Sequence, residues 1–427
     1  MQAPVEVIEQ IVDHLRPEDS ETTKVPALDK GDLRSCSLVS KVWLAASKPM
    51  LFQDVGYTVS ARPQAADVKP RTLQAISSFF NEHRDVAGYI QKLWIGQQSA
   101  GGVKEEDGLA LDHLRKLLHH FTRLRELNLV DLVISCSSDP PQALPSFLMP
   151  LKTLNIICSR HFSDLSRQSH PWNVTDILRY FTTIDTLSLI NTPWTEVSDL
   201  EKSSPAVPPT VQALILHGVP AHRDRDIECV LLRLPRLVDI KSVRTLYFTS
   251  DTWGQHRGLF ELFAPSLEKL WMLPCPWFDR PGHNRRSQVF SSFTKLKQIA
   301  FPLTLDTFEG DPPNLDFEEL QRALIAAGLT KRQHTGLEEL VLLIKPFTAY
   351  QDEGEEKLQN TLDAALVEAV RQNNIVKVGF EWCGDLWQFS HTELEDGMRK
   401  LFPLLHENKM MEFRGNFTSC RLPNAQY

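Results

Sequence analysis

No stretch of this 427-residue chain approaches the roughly 20 consecutive apolar residues that span a bilayer; its longest runs, such as residues 340–344, are far shorter. The first residues, Met1-Gln2-Ala3-Pro4-Val5-Glu6, lack the basic region and apolar stretch of a secretory signal, so the expected compartment is cytoplasmic or nuclear. The seven cysteines (36, 136, 158, 229, 275, 383 and 420) are odd in number and scattered, with no CxxC pair. That spacing excludes a clustered zinc module or disulfide framework and points to reduced, mostly buried thiols. The sequons at Asn173 and Asn416 matter only in a secreted protein. No phosphate-cradling glycine loop, GxSxG elbow or HExxH pair occurs. His119-His120, Cys158 with His161, and Cys383 with His391 are isolated pairs without a third partner. The expectation is a non-enzyme with no catalytic residue, no metal and no cofactor.

One sign of charge is also missing in the pattern that nucleic acid requires. The formal net charge is -8. Between Asp352 and Asp396 eleven acidic residues face only Lys357, Arg371 and Lys377, so this segment alone accounts for the whole excess. The rest is balanced, with no basic stripe for a phosphate backbone. Neither nucleic acid nor membrane is an expected partner.

What is present is a repeat. An apolar-x-x-apolar-x-apolar unit occurs ten times, at Ile90/Leu93/Ile95, Leu124/Leu127/Leu129, Leu151/Leu154/Ile156, Ile184/Leu187/Leu189 and Val211/Leu214/Leu216. It continues at Val243/Leu246/Phe248, Leu267/Leu270/Met272, Leu296/Ile299/Phe301, Leu337/Leu340/Leu342 and Ile375/Val378/Phe380. The last two apolar positions have the two-residue period of a strand with one buried face. Successive units start 24 to 41 residues apart, at or beyond the upper end of the roughly 20–29 usual for leucine-rich repeats.

Helical spacing recurs between the units. Leu111, Leu114, Leu117, Leu118 and Phe121 precede the second, and Ile177, Leu178 and Phe181 the fourth. Asp316 with Glu319 forms a capping box ahead of Leu320 and Leu324, with a stop at Gly328. Leu358, Leu362, Leu366, Ala369 and Val370 precede the last unit. The expected fold class is α/β: an N-terminal three-helix module, then an irregular leucine-rich-repeat solenoid with a parallel concave sheet. Residues 1–55 form the helical module, 56–89 a connecting segment with the first solenoid helix, and 90–427 the solenoid with its C-terminal cap.

The first fifty residues differ from the repeat. Pro4 suits a first helical position, and Ile8, Ile11, Val12 and Leu15 share one helical face. Residues 16–31 read as a loop. Asp32 can cap a second helix bearing Leu33, Cys36 and Val39, and a third carries Val42, Trp43 and Ala46 and ends near Pro49. Three such helices make a core too thin to stand alone. A plain helical cap on the solenoid is the alternative, since terminal repeats require one.

Pro4-Val5-Glu6-Val7, Ile11, Leu15, Asp32-Leu33, the string Cys36 to Trp43, and Leu51-Phe52 resemble the F-box of fungal F-box proteins. Leu73, Ile76, Phe79, Phe80, Tyr89, Ile90 and Leu93 resemble the helix and strand that follow it. Ala3 stands where the family has leucine, and the loop is longer than in compact members. The resemblance implies docking on the SKP-type linker, and through it a cullin, of a Skp–cullin–F-box ubiquitin ligase. Pro4, Val7, Ile8, Ile11, Leu33, Cys36 and Val39 would then face the linker, and Trp43 and Leu51 would knit the module to the first repeat. The solenoid would hold a client protein. A leucine-rich interaction scaffold with no ubiquitin-ligase role is the alternative.

Residues alternating with the buried leucines are expected to line an open groove on the order of 45 Å long, suited to a protein rather than a metabolite. Tyr247 and Trp271 in its second half, with Trp253, Trp277 and Phe278 on nearby loops, are the candidate client contacts, aromatic types enriched at hot spots. Each of them could equally fill a gap between irregular repeats.

Overall fold

The computed structural model describes residues 7–8, 11, 30–59, 72–97, 109–132, 134–135, 148–158, 174–192, 207–218, 224–249, 257–273, 293–304, 320, 324, 329, 336–345, 356–373, 375–382 and 390–416. The chain divides into two compact units, one spanning 1–211 with 235–238 and 422–427, the other 212–234 with 239–421. Both are mixed α/β with parallel strands in chain order, an arrangement compatible with a solenoid-like fold. Among the described residues no helix is long and apolar enough to cross a membrane.

The first unit opens with helices α1 (Gly31–Ser37) and α2 (Lys41–Gln53) and strand β1 (Asp54–Val59). It continues with α3 (Leu73–Glu82), α4 (Arg84–Ala87), β2 (Lys92–Gln97), β3 (Leu109–Ala110), α5 (Leu111–Leu118), β4 (Glu126–Val130), β5 (Ile134–Ser135), β6 (Met149–Ile157), α6 (Val174–Leu178) and β7 (Phe181–Ile190). Strands β1, β2, β4, β6 and β7 pair side by side, all parallel, and β3 pairs with β5 separately. The second unit contains β8 (Thr210–His217), α7 (Asp224–Leu237), β9 (Thr245–Thr249), α8 (Arg257–Phe263), β10 (Lys269–Leu273), β11 (Gln298–Thr304), β12 (Glu339–Lys345), α9 (Glu356–Gln372), β13 (Val378–Trp382), α10 (His391–Leu401), α11 (Pro403–Glu407) and β14 (Met411–Asn416). There β8 to β14 again pair in chain order and parallel.

All ten expected strands form, and their register explains the repeat. Leu93, Leu127, Leu154 and Leu187 stand opposite one another, as do Leu214, Leu246, Leu270, Ile299, Leu340 and Val378. Every one of these side chains is fully buried. The lead-ins to β4, β6, β10, β11 and β12 are each held by one carbonyl that accepts two N–H groups from the next repeat. Arg125 O accepts from Lys152 N (2.8 Å) and Thr153 N (3.0 Å), and Arg244 O from Glu268 N (2.8 Å) and Lys269 N (3.0 Å). Gln91, Glu268 and Lys297 do the same. A slip of one residue would turn every leucine to the wrong face, so this doubled contact stabilises the register. Strand exits use residues that tolerate a left-handed backbone: Asp131 after β4 (φ 53°), Asn191 after β7 (φ 49°) and Gly218 after β8 (φ 65°).

Several local expectations need correction. Asp32 caps nothing: α1 starts one residue earlier, at Gly31, with no side-chain cap, and Asp32 sits in its first turn. The helix bearing Trp43 does not end near Pro49 but runs through it to Gln53. Its far end is held instead by Lys30, whose Nζ donates to Leu51 O (2.6 Å) and Asp54 O (2.7 Å). Phe181 belongs to β7 rather than to the helix before it. Strands β1 and β14 fall outside the ten triples because their alternation is carried by Val55, Tyr57 and Val59 and by Met411 and Phe413, without the leading apolar residue. The capping box at Asp316 and the stop at Gly328 lie outside the described residues.

Candidate functional site

Ile8 and Leu33 are buried and form the centre of the N-terminal module, with Trp43, Ala46, Met50 and Leu51 packed around them. Both were expected on the linker face. At 2% and 0% exposed, Ile8 and Leu33 are core residues of the module. Trp43 and Leu51 pack against this cluster. Of the other expected face residues, Val7, Ile11 and Val39 are exposed and Cys36, a free thiol, is half-buried. Pro4 lies outside the described residues.

Three exposed apolar residues were missed. Leu38 is 86% exposed, beside Val39 at 65%, and Val42 and Leu44 stand out on the next turn of chain. Leu38 and Val39 form the tight turn between α1 and α2, closed by Leu38 N to Ser35 O (3.1 Å) and Val39 N to Cys36 O (3.1 Å). Ser40 then caps α2, its Oγ accepting from Trp43 N at 3.4 Å. Helical periodicity says nothing about a two-residue turn, so the only signal was two bulky apolar residues directly ahead of a capping serine.

Other contacts anchor the module within its unit. Lys48 on α2 forms an ion pair with Asp85 on α4, and the Lys48 ammonium holds that carboxyl below its ordinary range. Strand β1 follows α2 directly and pairs along its whole length with β2. Tyr57 on β1 donates its hydroxyl to Thr72 O (3.0 Å).

On the expected client face, Tyr247 and Trp271 are register partners on β9 and β10, with ring centroids 6.0 Å apart at 33°. Tyr247 is half-buried; Trp271 is only 6% exposed. Trp253, Trp277 and Phe278 lie outside the described residues. The open groove does not hold at the middle of the strands: Asn128, Ser188, Ile215, Ala300 and Val341 are all buried. Strand β12 explains why. Its unbroken run Leu340-Val341-Leu342-Leu343-Ile344 is buried on both faces, the pattern of a parallel strand covered on each side rather than one.

Polar groups remain on that second face. In the first unit Asn155 Nδ2 on β6 donates to Asn128 Oδ1 on β4 (2.6 Å), and Asn128 Nδ2 to Glu126 Oε1 on the same strand (3.1 Å). In the second unit Glu339, Glu381, Glu412 and Arg414 gather on β12, β13 and β14. His217, at the end of β8, is buried, and loss of water pushes its imidazole down to about 4.

Among the described residues no group of three histidine, cysteine or acidic side chains could hold a metal. His119 and His120 lie in the turn after α5 rather than on the helix, and His120 Nε2 is 3.3 Å from Ser77 Oγ. No protein-family model matches the chain, and no curated protein matches it.

Proposed function

We propose that this chain is a substrate-recognition adaptor of a Skp–cullin–F-box ubiquitin ligase. Its N-terminal helices, in the manner of an F-box, dock on a SKP-type linker subunit, and its repeats hold a client protein. The observation that carries this function is the module's division of apolar residues. Ile8 and Leu33 complete an internal core, yet Leu38, Val39, Val42, Leu44, Val7 and Ile11 stay in water. Exposed apolar side chains in such density mark a surface built for a partner. Transfer chemistry belongs to other subunits of the ligase, and the site of action is the cytoplasm or nucleus.

The test is co-purification of the full chain with a SKP-type linker subunit. Leu38→Asp with Val39→Asp replaces two exposed side chains, so the melting temperature stays within about 2 °C while capture of the linker is lost. Undiminished capture by this double variant overturns the proposal and leaves a repeat scaffold with no ligase role. Leu33→Ala is the contrasting variant: it loses about 2–4 kcal/mol of stability through a core cavity and loses capture only as a consequence.

A further inference from the structure

The last three strands of the second unit carry Glu339, Glu381, Glu412 and Arg414 on the face turned away from the leucines. Arg414 reaches across β13 to do so. A Cβ built on Gly379 would lie 3.0 Å from its Cζ and its Nε, so the guanidinium occupies the space that any other side chain would fill. It ion-pairs with Glu339, donates to Glu412 through Nη2 (2.6 Å) and Nε (3.2 Å), and stands 3.9 Å from Glu381.

Three carboxylates around one guanidinium leave acceptors in excess of donors and two negative charges in excess of positive. The four side chains keep 14 to 44% of their surface exposed, so a solute can reach them. Gln298 stands beside Glu339 in register and faces the same way. It is only 7% exposed, yet its Oε1 accepts no hydrogen bond. Leaving such an oxygen unpaired is costly, and an incoming donor would relieve it. Burial also holds the Glu381 carboxyl above its ordinary range, because a guanidinium at 3.9 Å does not offset the lost water. An anion finds no place here, since Arg414 is already surrounded by carboxylates. A planar cation with several N–H donors fits, and arginine offers five in a fork that matches paired carboxylates, where lysine is a more strongly hydrated point charge.

We propose that this cluster is the subsite for an arginine side chain of the client protein. It rests on the client-holding half of the function given above and is independent of linker docking. The probe is a blocked tripeptide of three arginines, titrated calorimetrically into the full chain at low salt, against the same tripeptide of citrulline, which is isosteric and neutral. The arginine peptide binds about tenfold tighter or more, and Glu339→Gln and Glu381→Gln each remove that preference. Glu338→Gln, the same charge change one residue from Glu339, leaves it intact. Should Glu339→Gln fail to fold, Glu412→Gln, the most exposed of the three, decides in its place. Equal binding of the two peptides to the unaltered chain, or a preference that survives the carboxylate substitutions, overturns the subsite. A chain that captures no linker but keeps the arginine preference refutes the adaptor role alone.

Discussion

A single imidazole makes the protein sensitive to mild acid. His217 is buried and neutral in the folded state, its pKa held at about 4 by desolvation, whereas in the unfolded chain it returns to the ordinary value near 6.5. Between these two values the unfolded state binds the extra proton. Folding stability therefore falls as pH drops from 6.5 toward 4, by up to about 3 kcal/mol from this residue. His217→Gln should flatten that part of the profile, seen as a smaller change in urea midpoint between pH 7 and pH 4.5. An unchanged slope would mean that His217 already titrates normally in the fold. At the same scale, the resemblance to a known family put Ile8 and Leu33 on a partner face, whereas the structure buries both in the module's own core.

At the scale of elements, the C-terminal helices are held by a contact that no local pattern encodes. Asp363 on α9 accepts from the backbone N–H of Leu404 (2.6 Å) and Leu405 (3.1 Å), 41 and 42 residues away, and so satisfies two of the free donors at the start of α11. Burial drives its carboxyl above the ordinary range despite both hydrogen bonds, so its ionisation in the fold is costly. Asp363→Ala strands the two N–H groups and should cost about 2–3 kcal/mol. Asp363→Asn keeps one acceptor and recovers part of it. Hydrogen exchange at 404 and 405 reports the loss directly; wild-type protection in the alanine variant would refute the cap. The capping box of α10, Ser390 with Glu393, is by contrast a local device of the kind a sequence displays openly.

Within each unit, an interior strand depends on its two neighbours. The shared carbonyls at Gln91 and Arg125 in the first unit, and at Arg244, Glu268 and Lys297 in the second, tie neighbouring strands together, so damage spreads outward within a unit. Leu246→Ala, a fully buried leucine flanked in register by Leu214 and Leu270, should cost about 2–5 kcal/mol. Protection from hydrogen exchange should then fall together in β8, β9 and β10. Loss confined to β9 would show that the repeats do not cooperate.

The ten strands were legible because each repeats a short apolar pattern whose buried face needs no knowledge of the rest of the chain. Val55 to Val59 and Met411 to Phe413 were not, since their alternation is weak and only pairing with β2 and β13 makes them strands. Three further outcomes rest on contacts between residues distant in sequence: which apolar side chains of the N-terminal module face water, the covering of the second sheet face at Val341 and Ala300, and the meeting of Arg414 with Glu339 across Gly379. Periodicity tells which residues share a face. Only the packed chain decides what that face meets, because burial depends on everything that folds against it.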